Sequence, residues 1–135
     1  MNDYVPGSSI RVFLLVENRL LREALVRLFR KRSDLLVVGQ SSLAEETLHP
    51  VIESECDVLV GDCFLSSGTL SLLAANGETP RGCKIVLVGM ESDEEQFLAA
   101  VRSGIAGYLL RDASASDVVT AVRAVSRGEA VCPPQ

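Results

Sequence analysis

Four short apolar runs in this chain each stop abruptly on a polar or glycine position. Residues 11–16 run into Glu17 and Asn18, residues 57–61 into Asp62, residues 84–88 into Gly89, and residues 107–110 into Arg111. A fifth run occupies residues 35–38. Apolar residues between the runs recur at helical spacing, and this alternation predicts β-α-β units around a parallel sheet. The first helix is predicted over residues 19–32, with Leu20, Leu21, Ala24, Leu25, Leu28 and Phe29 as its apolar stripe. Ser42 with Glu45 reads as a capping box opening a second helix, and Ser92 with Glu95 as another, followed by a stripe of Phe97, Leu98 and Val101. A loop at Ser66-Ser-Gly68, a short Leu-rich helix ending near Asn76-Gly77 and a turn at Pro80-Arg-Gly82 fill the stretch before the fourth strand. Ser114 with Asp117 opens the last helix, whose Val118, Val122 and Val125 share a face.

Five strands and five helices in strict alternation, joined by right-handed crossovers, make a doubly wound α/β three-layer sandwich. In such open sheets ligands bind at the carboxyl edge of the strands. The four polar stops therefore converge on one predicted site, centred on Asp62.

At 135 residues the chain is one domain with a substantial core. Hydrophobic residues make up 47% of it and aromatics only 4%, so Leu, Val, Ile and Ala must build that core. A net charge of −5 argues against a broad nucleic-acid-binding face. No apolar stretch reaches the length of a membrane span and the start lacks signal-peptide character, so a cytoplasmic location is expected. Cys56, Cys63, Cys83 and Cys132 are far apart and the chain has one histidine, which disfavours zinc. Three of these cysteines read as small apolar fillers near strands and Cys132 as a tail thiol, with Cys63 notable for standing beside Asp62.

The motifs Asp57-Val-Leu-Val-Gly-Asp62, Gly104-Ile-Ala-Gly-Tyr-Leu-Leu-Arg-Asp-Ala113 and Ala121-Val-Arg-Ala-Val-Ser-Arg-Gly-Glu129, taken in order, resemble the receiver domain of bacterial two-component response regulators. The resemblance is to the NarL/FixJ type, which precedes a LuxR-type helix-turn-helix, and covers Ile10 to Pro133. It implies a flavodoxin-like (βα)5 fold with sheet order 2-1-3-4-5, an N-terminal tail over residues 1–9, a receiver domain over 10–130, and the start of a linker or tail over 131–135. It further implies a regulatory module rather than an enzyme, with phosphoryl transfer from a histidine kinase to Asp62.

Measured against that family, several helper positions are altered. The two acidic residues that hold magnesium are Glu17 and Asn18 here, and Asn18 has lost its charge, so with Asp62 they imply weakened magnesium binding. Asn18 is equally a good helix N-cap. Gly89 replaces the Thr or Ser whose hydroxyl bonds the phosphoryl group, so the usual switch with the aromatic at Tyr108 is degenerate, and core packing is the expected role of Tyr108. Arg111 replaces the phosphate-pairing Lys; it retains the positive charge but differs in reach and hydration, and pairing with Asp62 or a phosphate is its expected role rather than that of an ordinary surface arginine. The expected function is an atypical receiver acting through protein contacts with weak or no phosphorylation of Asp62. The alternatives are a conventional phosphoacceptor and, remotely, a small α/β enzyme using Asp62 as base, which lacks an accompanying His, catalytic Ser or glycine-rich loop. The resemblance also implies a homodimer through the first and last helices, with Arg19, Arg22, Arg27 and Arg30 on the polar side of the first. DNA contact is expected only through an output domain that would follow the proline-rich end, where a truncation is expected.

Overall fold

The computed structural model describes residues 9–42, 48–62 and 83–133. Its elements are β1 (Ile10–Leu15), α1 (Arg19–Arg30), β2 (Leu35–Ser41), α2 (Leu48–Ser54), β3 (Val58–Gly61), β4 (Lys84–Met90), α3 (Glu94–Arg102), β5 (Gly107–Leu110) and α4 (Ala115–Ser126). The five strands pair in parallel in the order β2-β1-β3-β4-β5, the flavodoxin-like order expected.

Both faces of the sheet are covered, which explains why the strands read as continuous apolar runs rather than alternating ones. On one side, Val12, Leu14, Val58, Val60 and Val86 pack with Leu25, Val26 and Phe29 of α1 and Val118, Val122 and Val125 of α4. On the other, Phe13, Leu15, Leu59, Ile85 and Leu87 pack with Val51 of α2 and Ala100 of α3. The result is the three-layer sandwich. No helix among the described residues is long and apolar enough to cross a membrane.

Several boundaries depart from the sequence reading. Helix α1 ends at Arg30, two residues early, because the chain tightens into bonds from Lys31 N to Leu28 O and from Arg32 N to Phe29 O. Its buried stripe is Leu25, Val26 and Phe29, while Leu20 is 79% exposed and Ala24 is also exposed. Strand β2 runs on to Ser41, since its ladder follows β1 rather than its own apolar content: Phe13 pairs with Gly39, Leu14 with Gln40 and Leu15 with Ser41.

Helix α3 is capped by Asp93, not by Ser92. The Asp93 Oδ1 accepts from the backbone N–H groups of Glu95 (3.0 Å) and Gln96 (3.3 Å). Its inward face carries Ala100, with Phe97 half-buried and Leu98 and Val101 exposed, so the expected stripe is rotated. The Ser114–Asp117 capping box forms as expected. The capping box of Ser42 and Glu45, the loop, short helix and turn between β3 and β4, and Cys63 lie outside the described residues, in whole or in part.

Candidate functional site at the carboxyl edge of the sheet

Parallel pairing carries the ends of β1, β3, β4 and β5 to one edge, as the four polar stops implied. Asp62, the first residue after β3, is 3% exposed and is the one buried charged side chain among the described residues. Burying a carboxylate is costly unless its oxygens are bonded. The backbone N–H of Asn18 donates to Asp62 Oδ2 (3.1 Å), tying the end of β3 to the start of α1. Asn18 stands at the N-cap with extended backbone, and its side-chain Oδ1 accepts from the Leu21 N–H (3.0 Å). One residue thus organises two features: its amide holds Asp62 and its side chain starts the helix.

Glu17 is exposed beside this pair. Arg22, read from the sequence as one of a row of surface cations, bends back so that Nη1 donates to the Val16 carbonyl (2.6 Å). This brings a guanidinium to the rim of the site. Only its spacing of six residues from Val16, just past the end of β1, hinted at such a role.

Among the described residues, the side-chain donors at this edge that could serve magnesium are those of Glu17, Asp62 and Asn18. Among the described residues no cluster of three metal-ligating acidic, His or Cys side chains is present. Asn18 Oδ1 is already engaged in the helix cap, and one Asp62 oxygen accepts a backbone N–H. A hard divalent cation relies on carboxylate charge, which Glu17 and Asp62 carry and Asn18 does not.

At the end of β4, Gly89 has φ of +69°, a left-handed conformation, and a Cβ built there would meet nothing within 4 Å. The ladder between β4 and β5 slips at this point: Leu87 pairs with Tyr108, but Met90 pairs with Leu110. Two residues of β4, Val88 and Gly89, thus oppose the single Leu109, which is a β-bulge. Its effect is visible in the core. Ile85 and Leu87 face the α2/α3 layer while Val86 and Val88 face the other; strict alternation would send Met90 with Val86, yet Met90 lies with Ile85 and Leu87.

Beyond the bulge, Arg111 Nη1 bonds Glu91 Oε2 (3.0 Å), an exposed pair joining the ends of β5 and β4. The side chain is directed to Glu91, a partner not anticipated from the sequence. An open hollow lined by Met90, Glu91, Ser92, Leu110, Arg111 and Asp112 forms there and does not include Asp62.

Tyr108 is 1% exposed and meets the Phe97 ring edge to face (centroids 5.0 Å apart, 85° between planes). Its hydroxyl lies 3.2 Å from the Glu91 carbonyl and 3.4 Å from Gln96 Oε1. Burial first, then the nearby Asp93 and Glu91 charges, hold its phenol above the usual range. Tyr108 is a packed core residue here. Past α4, Val131 continues the sheet by one parallel bridge, with Tyr108 N–H donating to Val131 O and Val131 N–H to Ala106 O (both 2.9 Å).

No protein-family model matches the chain. The transcriptional regulatory protein YvfU of Bacillus subtilis is 31% identical over 128 residues, 93% of this chain and 64% of its own length. Among solved structures, a two-component response regulator of the LuxR family from Aurantimonas superposes with a TM-score of 0.82 at 22% identity, covering 94% of this chain and 91% of that one. The signal receiver domain of the response regulator NarL from Mycobacterium tuberculosis gives 0.76 at 22%, covering 91% of this chain and all of that one. The fold is that of a response-regulator receiver domain. The chain's relatives are regulators of the NarL/LuxR type, and it spans a little under two thirds of the length of YvfU. In this receiver frame, Asp62 and Asn18 form one bonded unit at the carboxyl edge, whereas Arg111 and Glu91 form a second, separate pair beside the Gly89 bulge.

Proposed function

We propose that the chain is an atypical receiver domain that signals through protein contacts, with weak or no phosphorylation of Asp62. The observation that carries this reading is the left-handed, bulged backbone at Gly89. A hydroxyl-bearing residue at that position would be strained, so the local geometry suits glycine and offers no side-chain donor to a phosphoryl oxygen. The committed Asn18 oxygen and the Arg111–Glu91 pair support the same view.

The conventional reading keeps one specific observation in its favour. A buried carboxylate at a strand end, held by a backbone N–H, is poised to act as a nucleophile toward phosphorus. Incubation with acetyl phosphate and magnesium, read by intact-protein mass beside an Asp62→Ala control, separates the two. The atypical reading expects no phosphoryl adduct or only a trace of one. A near-complete adduct in the wild type that is absent from the control would overturn it.

The partners implied are a histidine kinase and, through an output domain outside these residues, DNA. A cytoplasmic location and a regulatory rather than enzymatic role go with them. A homodimer through α1 and α4 belongs to the same reading, supported by Leu20, an apolar side chain 79% exposed on α1. Sedimentation across a concentration series tests it, and a monomer at every concentration would sink it.

A further inference from the structure

Away from the carboxyl edge, two cysteines that the sequence keeps 27 positions apart are neighbours. Cys56 Sγ and Cys83 Sγ lie 3.3 Å from each other, at the amino-terminal ends of β3 and β4. These strands are paired, Val58 with Lys84, and the Lys84 N–H donates to the Asp57 carbonyl (2.9 Å), which fixes the spacing just where the cysteines sit. That register sets Cys83 opposite Asp57, one position from Cys56; with strands about 4.8 Å apart and a rise of about 3.3 Å per residue, the diagonal is about 5.8 Å, inside the range of roughly 4.4–6.8 Å between the Cα atoms of a disulfide. Closing the sulfurs to about 2.05 Å asks for a movement of roughly 1.3 Å, within reach of side-chain rotation without disturbing the ladder.

We propose that Cys56 and Cys83 are a reversible dithiol–disulfide pair, a peroxide-responsive modification site that clasps the amino ends of β3 and β4.

The surroundings support this assignment. Cys56 is 2% exposed and part of the α2/α3-side core, while Cys83 packs against that core and is half-exposed, so solvent reaches the pair from the Cys83 side. The sulfur–sulfur hydrogen bond favours ionisation of Cys56, with help from Ser54, against the opposing effect of burial. The same bond, with burial, pushes the Cys83 thiol up. The shared hydrogen bond thus favours a thiolate on one sulfur while the other keeps its proton.

The step balances with hydrogen peroxide as oxidant. The Cys56 thiolate attacks one peroxide oxygen, the O–O bond breaks, and hydroxide leaves and is protonated to water, giving a sulfenic acid. Cys83 then attacks that sulfur, the S–S bond forms, the S–O bond breaks, and the Cys83 proton departs with a second water. Two thiols and one peroxide become one disulfide and two waters, two electrons passing from sulfur to oxygen. A thiol reductant reverses the bond by exchange. Asp62 stands six residues along the chain from Cys56, roughly 20 Å at strand spacing. The clasp is therefore a separate site and does not depend on whether Asp62 takes a phosphoryl group.

The test is hydrogen peroxide treatment of the wild-type chain under native conditions, quenching with N-ethylmaleimide, and non-reducing peptide mapping. The expected result is a Cys56–Cys83 linked peptide as the main oxidised species, with two of the four cysteines lost to alkylation and both restored by dithiothreitol. A Cys63→Ser, Cys132→Ser double variant should keep the link and Cys83→Ser should abolish it. If Cys83→Ser fails to fold, the wild-type map decides alone. Linkage to Cys63 or Cys132 instead, or oxidation of separate cysteines with no link, would overturn the proposal.

Discussion

Replacing Gly89 by threonine puts a hydroxyl at the end of β4 and tests the bulge directly. The backbone there sits at φ +69°, where an L-residue pays about 1–2 kcal/mol for its Cβ. Nothing lies within 4 Å of that Cβ, so the Cβ itself meets no neighbouring element and backbone strain is the main cost. The more restricted unfolded chain returns roughly 0.4–1 kcal/mol. The net expected loss is about 1 kcal/mol, or about 4 °C in Tm for a domain of this size. Urea unfolding of the wild type, Gly89→Thr and Gly89→Asn measures it. Asparagine tolerates the left-handed region, so Gly89→Asn should lose only a few tenths of a kcal/mol. A threonine variant as stable as the wild type, or an asparagine variant as costly as threonine, would show that the backbone is not held in this conformation and would remove the main support for a degenerate switch.

Asn18→Ala removes the helix cap but keeps the backbone N–H that bonds Asp62, so stability should drop by about 1 kcal/mol in urea unfolding, and Asn18→Gly should recover most of it. The fork between Arg123 and Asp34, with contacts of 2.8 and 3.0 Å, joins α4 to the turn before β2. The hydrogen bond from Arg123 outweighs desolvation and lowers the Asp34 pKa. Its stabilising effect is therefore complete above the unfolded value near 3.9 and is lost as pH falls through the lower native value. With both side chains about 40% exposed, a double-mutant cycle should give under about 1 kcal/mol at pH 7 and a shrinking coupling below pH 4. Coupling unchanged at the lowest pH at which the domain stays folded would contradict this account.

Much of the architecture follows from local pattern. Runs of Val, Leu and Ile between helical repeats can bury both faces only in a covered parallel sheet, and that sheet necessarily gathers its strand ends at one edge. Asp62, Glu17 and Asn18 were legible for that reason, as was the Ser114–Asp117 cap, which involves neighbours in the chain. The helix faces were less so. Leu20 and Ala24 fit an apolar stripe in α1 as well as Val26 does, and only docking against the sheet decided which turned inward.

Three features needed the tertiary structure because they arise from residues distant in sequence. The pairing of Arg111 with Glu91 depends on β4 and β5 lying side by side, which the identity of neither residue announces. The meeting of Cys56 with Cys83 depends on the β3–β4 register, since no short-range cysteine spacing marks it. The bulge at Gly89 is the clearest case. Sequence determined that no hydroxyl stands there, because glycine has no side chain. Tertiary structure decided that the backbone turns left-handed and sends Met90 to the opposite face, because ladder bonds to β5 and packing on both sides of the sheet, rather than local preference, select among the conformations open to a glycine.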